Sequence, residues 1–249
     1  MKQVRMGVAL LMLTAGILAE GAETVRLSPE GFAMVEGEPR LLIGSYNLPE
    51  DDAFLARLAD NGFNFVRGKP DSAVLDRIRA AGMYAWIPLG HGLALKEGDA
   101  EGEARLRQVI EQYKDHPAVI TWEGPDEALW MQWYSAFQWN IFEQPMQLSA
   151  LIQQAAPEQD ATVIEAWKAK HKQAGDRIAR GLWAEGQALY DELWQALGKE
   201  NPNPDKAVTV CVARAHELGE ELTRGWRLVR SIDPDTLFWQ NHAPRNTIP

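Results

Sequence analysis

The chain has 249 residues, 46% of them hydrophobic and 24% charged, with 20 Gly and 14 Pro. That composition argues against a disordered, collagen-like or polytopic membrane protein and leaves room for one large domain or two small ones. The formal net charge of -10 argues against a nucleic-acid partner, because phosphate contact needs a basic face.

The first residues read as a signal peptide over 1–21. Lys2 and Arg5 precede an apolar run from Met6 to Leu18, and Ala19-Glu20-Gly21 offers small residues at the cleavage positions. The run is about 13 residues, short of the roughly 20 that a membrane span needs, so an exported protein with no integral span after cleavage is expected. Cleavage removes Lys2, Arg5 and Glu20, taking the charge from -10 to -11. An uncleaved anchor fits less well, and so does a lipoprotein, since no Cys follows the run.

Strand-like and helix-like stretches then alternate. Gly31 to Arg40 reads as a hairpin turning at Glu36-Gly37-Glu38-Pro39, and Arg40 to Tyr46 as a buried strand on Leu41, Leu42 and Ile43. Pro49 to Asn61 is a predicted helix, with Glu50, Asp51 and Asp52 suited to its N-terminal dipole and Phe54, Leu55 and Leu58 as its apolar face. Phe63 to Val66 is the next strand. Ser72 is placed to cap a helix carrying Val74, Leu75 and Ile78, closed by Gly82. A strand over Met83 to Leu89, a helix over Glu103 to Tyr113 and a strand over Ala118 to Trp122 complete residues 22–127 as four strand–helix units.

The rhythm breaks over 128–204, a helical insertion without a strand-like run. An aromatic stretch comes first, then a polar segment around Ala155 to Asp160. A long helix follows with Ile178, Leu182, Leu189, Leu193 and Leu197 on one face, stopped by Gly198. After the Asn201-Pro202-Asn203-Pro204 linker, residues 205–249 supply a helix to Ser231 and a fifth strand, Thr236 to Gln240. Cys211, the single cysteine, excludes an internal disulfide and a cysteine-based zinc site, and reads as a buried residue of that helix.

An eight-unit β/α barrel takes roughly 250 residues. With signal and insertion set aside, about five units fit here. The fold class is therefore α/β: either a smaller open sheet or, the preferred reading, a (β/α)8 TIM-barrel sequence represented by its first five units. In parallel α/β folds, functional groups lie at the carboxyl ends of strands. Those positions hold Ser45-Tyr46-Asn47, Arg67, Gly90-His91, Glu123-Gly124-Pro125-Asp126-Glu127 and Asn241-His242.

Several of these segments resemble a known family. Gly62-Phe63-Asn64-Phe65-Val66-Arg67 is similar to the G-x-N-x-V-R signature of the large clan of TIM-barrel glycoside hydrolases. His116 to Trp122 followed by Asp126-Glu127 resembles the clan's fourth strand, where an Asn-Glu pair carries the acid/base glutamate. Gly31 to Gly44 resembles the hairpin before its first strand, and Ile232-Asp233-Pro234 with Asn241-His242-Ala243-Pro244 resembles its fifth-strand region. The resemblance covers Gly31 to Glu127 and Asp205 to Pro249, not the insertion.

The resemblance implies a retaining glycosidase without metal or organic cofactor, acting on a carbohydrate. Glu127 would be the general acid/base and Arg67 the arginine that positions the nucleophile. His91, Asn241, Asp126, Tyr46 and Trp122 would be the substrate-binding residues. Such a mechanism needs Glu127 protonated near neutral pH, which burial or a neighbouring anion such as Asp126 would favour. Asp126 stands where the clan has Asn, and an ionised Asp accepts but does not donate. The clan's nucleophile follows its seventh strand, for which these five units hold no counterpart. Glu143 and Asp235 could replace it only through tertiary geometry.

Trp130, Trp133, Tyr134 and Phe137 have helical spacing and read as packing for the insertion, with a sugar-stacking platform as the other reading. His171 and His216 read as surface or satisfied residues. No metalloprotease, P-loop or dinucleotide signature is present. The reading from another class is a non-catalytic carbohydrate-binding or scaffold protein. A barrel lyase or isomerase has only fold analogy behind it.

Overall fold

The computed structural model describes residues 25–241; the expected leader over 1–21 and His242-Ala243-Pro244 lie outside the described residues. The hairpin predicted over Gly31 to Arg40 is β2 (Ala33–Val35) and β3 (Glu38–Pro39). Glu36 and Gly37 both take positive φ, 53° and 83°, the geometry that lets a two-residue turn follow the twist of its strands. A strand not foreseen, β1 (Val25–Leu27), pairs antiparallel with β2 and sets buried Val25 directly opposite buried Val35.

The strand expected over Arg40 to Tyr46 shrinks to β4 (Gly44–Ser45), and Leu41 and Ile43 are exposed rather than buried. The cause is Asn64. Its Oδ1 accepts from the Ile43 N–H at 2.9 Å and its Nδ2 donates to the Leu41 carbonyl at 2.8 Å, so one side chain supplies the bonds a strand neighbour would otherwise make. The next elements follow the predicted order: α1 (Asp52–Asp60), β5 (Phe65–Arg67), α2 (Ser72–Ala80), β6 (Tyr84–Pro88), α3 (Ala100–Tyr113) and β7 (Val119–Glu123). Aspartates cap the helices. Asp71, not Ser72, caps α2, because its carboxylate reaches both the Ala73 and Val74 N–H groups.

The insertion holds α4 (Ala128–Gln138), a π-helical turn (Trp139–Glu143), α5 (Gln144–Ala155), α6 (Ala161–Ala179) and α7 (Trp183–Ala196). The single long helix expected here is a helical hairpin, broken at Gly181, whose φ of 77° suits a left-handed helix end. Close packing then joins the two arms: a Cβ on Gly186 would lie 2.5 Å from Ile178 Cγ1. Of the four aromatics expected to pack the insertion, Trp133 is buried and Trp130 and Phe137 are partly buried beside it, whereas Tyr134 is exposed and meets the cluster at its edge, through Trp130. Trp133 stacks edge-on against Trp183 at 5.0 Å, and with Ala136 it is buried against Val208 and Cys211. Those two residues belong to α8 (Val208–Ile232), which leads into β8 (Leu237–Trp239).

The five strands β4 to β8 form one parallel sheet in sequential order. Side chains alternate across it except at a register shift between β6 and β7, where Ile120 and Thr121 fall on the same face. Val66, Ala85, Ile87 and Trp122 meet Leu55, Leu75, Ile78, Leu106, Ile110 and Val229 from α1, α2, α3 and α8, so these helices share one face. The opposite face carries Phe65, Tyr84, Trp86 and Ile120, packed with Val25 and Val35 of the small antiparallel sheet. No helix among the described residues is long and apolar enough to cross a membrane.

Candidate active site

The face without helices gathers its polar groups at the carboxyl ends of the strands. Strand register places Arg67 beside Trp86, Pro88 beside Glu123, and Glu123 beside Trp239. Glu123 is fully buried. Its Oε2 accepts from Trp86 Nε1 at 3.1 Å and lies 3.3 Å from Arg67 Nε. The Arg67 Nε–H is not aimed along that contact and makes no hydrogen bond, so the attraction is that of an ion pair. Trp86 is a hub for aromatic contacts: Tyr46 meets it edge-on at 5.5 Å, Trp239 edge-on at 5.8 Å, and the Arg67 guanidinium lies 5.9 Å over the Tyr46 ring.

Burial pushes the Glu123 carboxyl above the usual glutamate range, and the Arg67 charge and the Trp86 hydrogen bond oppose that shift. The Tyr46 phenol is also pushed up, first by burial and then by the charges of Glu123, Asp126 and Glu127, with Arg67 opposing. Tyr46 therefore feels every charged group of this rim and stays a hydrogen-bond donor at neutral pH. Beneath it lies a cavity of about 720 Å³ lined by Tyr46, Phe65, Trp86, Thr121, Leu237 and Trp239 among others. Thr121 Oγ1 and Trp239 Nε1 of this lining, and Glu123 Oε1 at the neighbouring strand end, are buried without a hydrogen-bond partner, unusual for native polar atoms.

The segments after β7 and β8 are stitched together. Gly124 N–H donates to the Trp239 carbonyl at 3.0 Å and Glu127 N–H to the Asn241 carbonyl at 3.2 Å. Gln240 Nε2 donates to the Pro125 carbonyl, and Asn241 Nδ2 donates to Asp126 Oδ1 at 2.5 Å. A Cβ at 124 would lie 1.7 Å from Gln240 Oε1, so a larger residue there would displace the Gln240 amide from its bond to Pro125. Glu127 sits at φ 47°, ψ 27°, left-handed for a non-glycine residue, and stands as N-cap of α4 without a side-chain capping bond. Such a conformation costs about 1–3 kcal/mol and is commonest at functional sites.

The structure brings together Tyr46, Arg67, Asp126, Glu127 and Asn241 of the residues expected from sequence. His91 stands apart. It is exposed on a 3-10 turn, Gly90–Leu93, in a separate cleft of about 300 Å³ with Asp99 and Arg105. Trp122 does not reach the rim: it is fully buried on the helix-covered face, and its Nε1 donates to Asp233 Oδ2 at 2.7 Å. Alternation along β7 explains this, because residues 121 and 123 share the face opposite to 122. Glu143 lies 3.9 Å from Lys206 Nζ in the insertion, and Asp235 is an exposed residue lining the cavity. Neither is bonded to Arg67. His171 Nε2 is satisfied by the Pro145 carbonyl at 2.9 Å, and His216 is exposed.

Sequence reasoning placed Glu123 among the strand-end groups but gave it no role, and missed Trp86, Thr121 and Trp239. The available signal was the alternation that sends Trp122 to one face and so turns Thr121 and Glu123 to the other. No protein-family model, curated protein or solved structure matches the chain.

Proposed function

We propose that the five-stranded sheet is part of a (β/α)8 barrel and that the protein is an exported glycoside hydrolase of the type its motifs resemble, with Glu127 as general acid/base. The sheet order supports the barrel. A doubly wound sheet reverses its strand order and carries helices on both faces; here the order runs from β4 to β8 without reversal, and α1, α2, α3 and α8 share one face. Export rests on the basic, then apolar, start of the sequence.

The observation that carries the activity is the gathering of Tyr46, Arg67, Glu123, Asp126 and Glu127 at the carboxyl ends of the parallel strands β4, β5 and β7, where barrel enzymes hold their chemistry. In the mechanism of the resembled clan, Glu127 would give a proton to the leaving glycosidic oxygen and later take one from the water that breaks the glycosyl–enzyme ester; the carboxylate that adds to the anomeric carbon has no assigned counterpart among the described residues. Asn241 donates to Asp126 and so orients that carboxylate as an acceptor for sugar hydroxyls, while Tyr46 and Trp239, which pack around the buried Trp86, offer apolar ring surface to a sugar face.

One observation favours binding without hydrolysis. The carboxylate beside Arg67 is Glu123, whose side chain is wholly buried, so among the described residues no exposed carboxylate is ion-paired with Arg67. A panel of 4-nitrophenyl glycosides and oligosaccharides, tested on the full chain and on Glu127→Gln, separates the readings. Hydrolysis that falls by orders of magnitude in Glu127→Gln supports the enzyme. Calorimetric binding without cleavage supports the binding protein. Neither turnover nor binding across the panel overturns both.

A further inference from the structure

We propose that Glu123 is a positioning residue of this rim: its buried carboxylate ties the Arg67 guanidinium to the buried Trp86 indole, from the two preceding strands, and so fixes how Arg67 and Tyr46 are presented to a ligand. Only the kinetic part of the test below rests on the glycosidase reading.

Packing alone gives no reason for a carboxylate here. The neighbouring side chains on this face include Phe65, Trp86, Leu237 and Trp239, and an apolar residue would fill the position without desolvating a charge. Buried ion pairs are often no better for stability than well-packed apolar replacements, whereas removal of one partner leaves a costly lone charge. Here one carboxylate oxygen serves both the indole N–H at 3.1 Å and the guanidinium at 3.3 Å, while the other has no partner. What the carboxylate does achieve is geometric. Arg67 keeps two-fifths of its side chain open to solvent and lies over Tyr46, with its charge balanced from within the protein. The resemblance gives Arg67 the task of holding a nucleophile; in this structure its ion-pair partner is Glu123.

Titration offers a readout independent of turnover. Glu123 is raised by burial, so its proton leaves above the ordinary glutamate range. The groups that face it are Arg67 from β5, Trp86 from β6, Tyr46 after β4 and Asp126 after β7. In ¹⁵N-labelled full-length protein, the Trp86 indole N–H signal is identified by its loss in Trp86→Phe. That signal is expected to follow a single titration above the ordinary glutamate range. The titration should persist in Asp126→Asn and Glu127→Gln and vanish in Glu123→Gln. A Trp86 signal that ignores pH, or keeps its titration in Glu123→Gln, overturns the proposal whether or not the protein cleaves anything.

If Glu123→Gln alone misfolds, Glu123→Gln/Arg67→Met removes both charges, is expected to restore folding, and permits the same spectrum. On the best substrate, Glu123→Gln and Arg67→Met each lower kcat/KM about tenfold or more, the loss of one charge-assisted contact, and the double variant is no worse than the weaker single one. Multiplying losses overturn the proposal. A wild-type protein that cleaves nothing but shows the Trp86 titration defeats the glycosidase reading and leaves the positioning role intact.

Discussion

Replacing Glu127 by glycine should make the protein more stable while removing the activity assigned to it. The backbone at 127 is left-handed, φ 47°, which costs a non-glycine residue about 1–2 kcal/mol. The side chain returns none of that through capping, since it makes no bond to the N–H groups of α4. The backbone bonds from Glu127 N–H to Asn241 and from Met131 N–H to the Glu127 carbonyl survive any side-chain change. Glycine gives back roughly 0.5–1 kcal/mol through its freer unfolded state, leaving a net gain of about 0.5–1 kcal/mol. For a protein of this size that is a rise of about 1–4 °C in melting temperature. Glu127→Gln and Glu127→Ala keep the Cβ and so keep the strain; both should melt within about 0.5 kcal/mol of the wild type. Calorimetric melting of the three variants, with turnover measured on the same samples, decides the matter. If Glu127→Gly melts lower than wild type, the side chain supports the fold and the strain argument fails. An equal rise in Glu127→Gln would trace the gain to lost charge rather than to backbone conformation.

Two glycines of α8 should respond with opposite sign to the same substitution. Gly219 has open space where a Cβ would stand, so Gly219→Ala gains about 1 kcal/mol of helix propensity. At Gly225 the Cβ would lie 1.8 Å from the Leu93 carbonyl oxygen, and Gly225→Ala should destabilise by about 1–3 kcal/mol through overpacking. Thermal melting checks both, and a stabilised Gly225→Ala would mean that α8 does not abut that turn. Asn64→Ala should cost about 1–2 kcal/mol through loss of its two backbone contacts and speed hydrogen exchange of the Ile43 amide. Unchanged protection there would show that Asn64 does not hold the entry to β4.

The order of elements from Pro49 to Trp122 was readable because each helix announces itself locally, through an aspartate before it and apolar residues at helical spacing. What the sequence hid depends on partners far along the chain. Leu41 and Ile43 have the composition of a buried strand. Their hydrogen bonds go to Asn64, and nothing local to residues 41–43 reveals that. Arg67 and Glu127 were legible as strand-end groups, yet the same rule selected His91, which the 3-10 turn after β6 carries into another cleft. The role of Glu123 was hidden by its distance in sequence from Arg67 and Trp86, which only the register of β5, β6 and β7 brings beside it. Gly181 marks the break between α6 and α7, but a glycine within a periodic apolar pattern is also tolerated inside a helix.

The helical insertion and α8 together separate β7 from β8 by more than 100 residues of sequence, yet the rim depends on both strands. Gln240 and Asn241 reach back to Pro125, Asp126 and Glu127, so the loop that carries the proposed acid is shaped by residues beyond the insertion. That return is guided by α8. Gly225 lets its backbone press against Leu93, Arg224 Nε donates to the Leu95 carbonyl at 2.8 Å, and Arg230 donates to Thr236 at the entrance to β8. The insertion's own core, around Trp139, Leu148, Ile178 and Leu193, reaches α8 through Trp183, which packs on Trp133 beside Val208 and Cys211. The left-handed backbone at Glu127 belongs to the same arrangement: the chain turns sharply there from a strand into α4 while its N–H is held by Asn241. The position of the proposed acid is thus set by β8 as much as by its own strand.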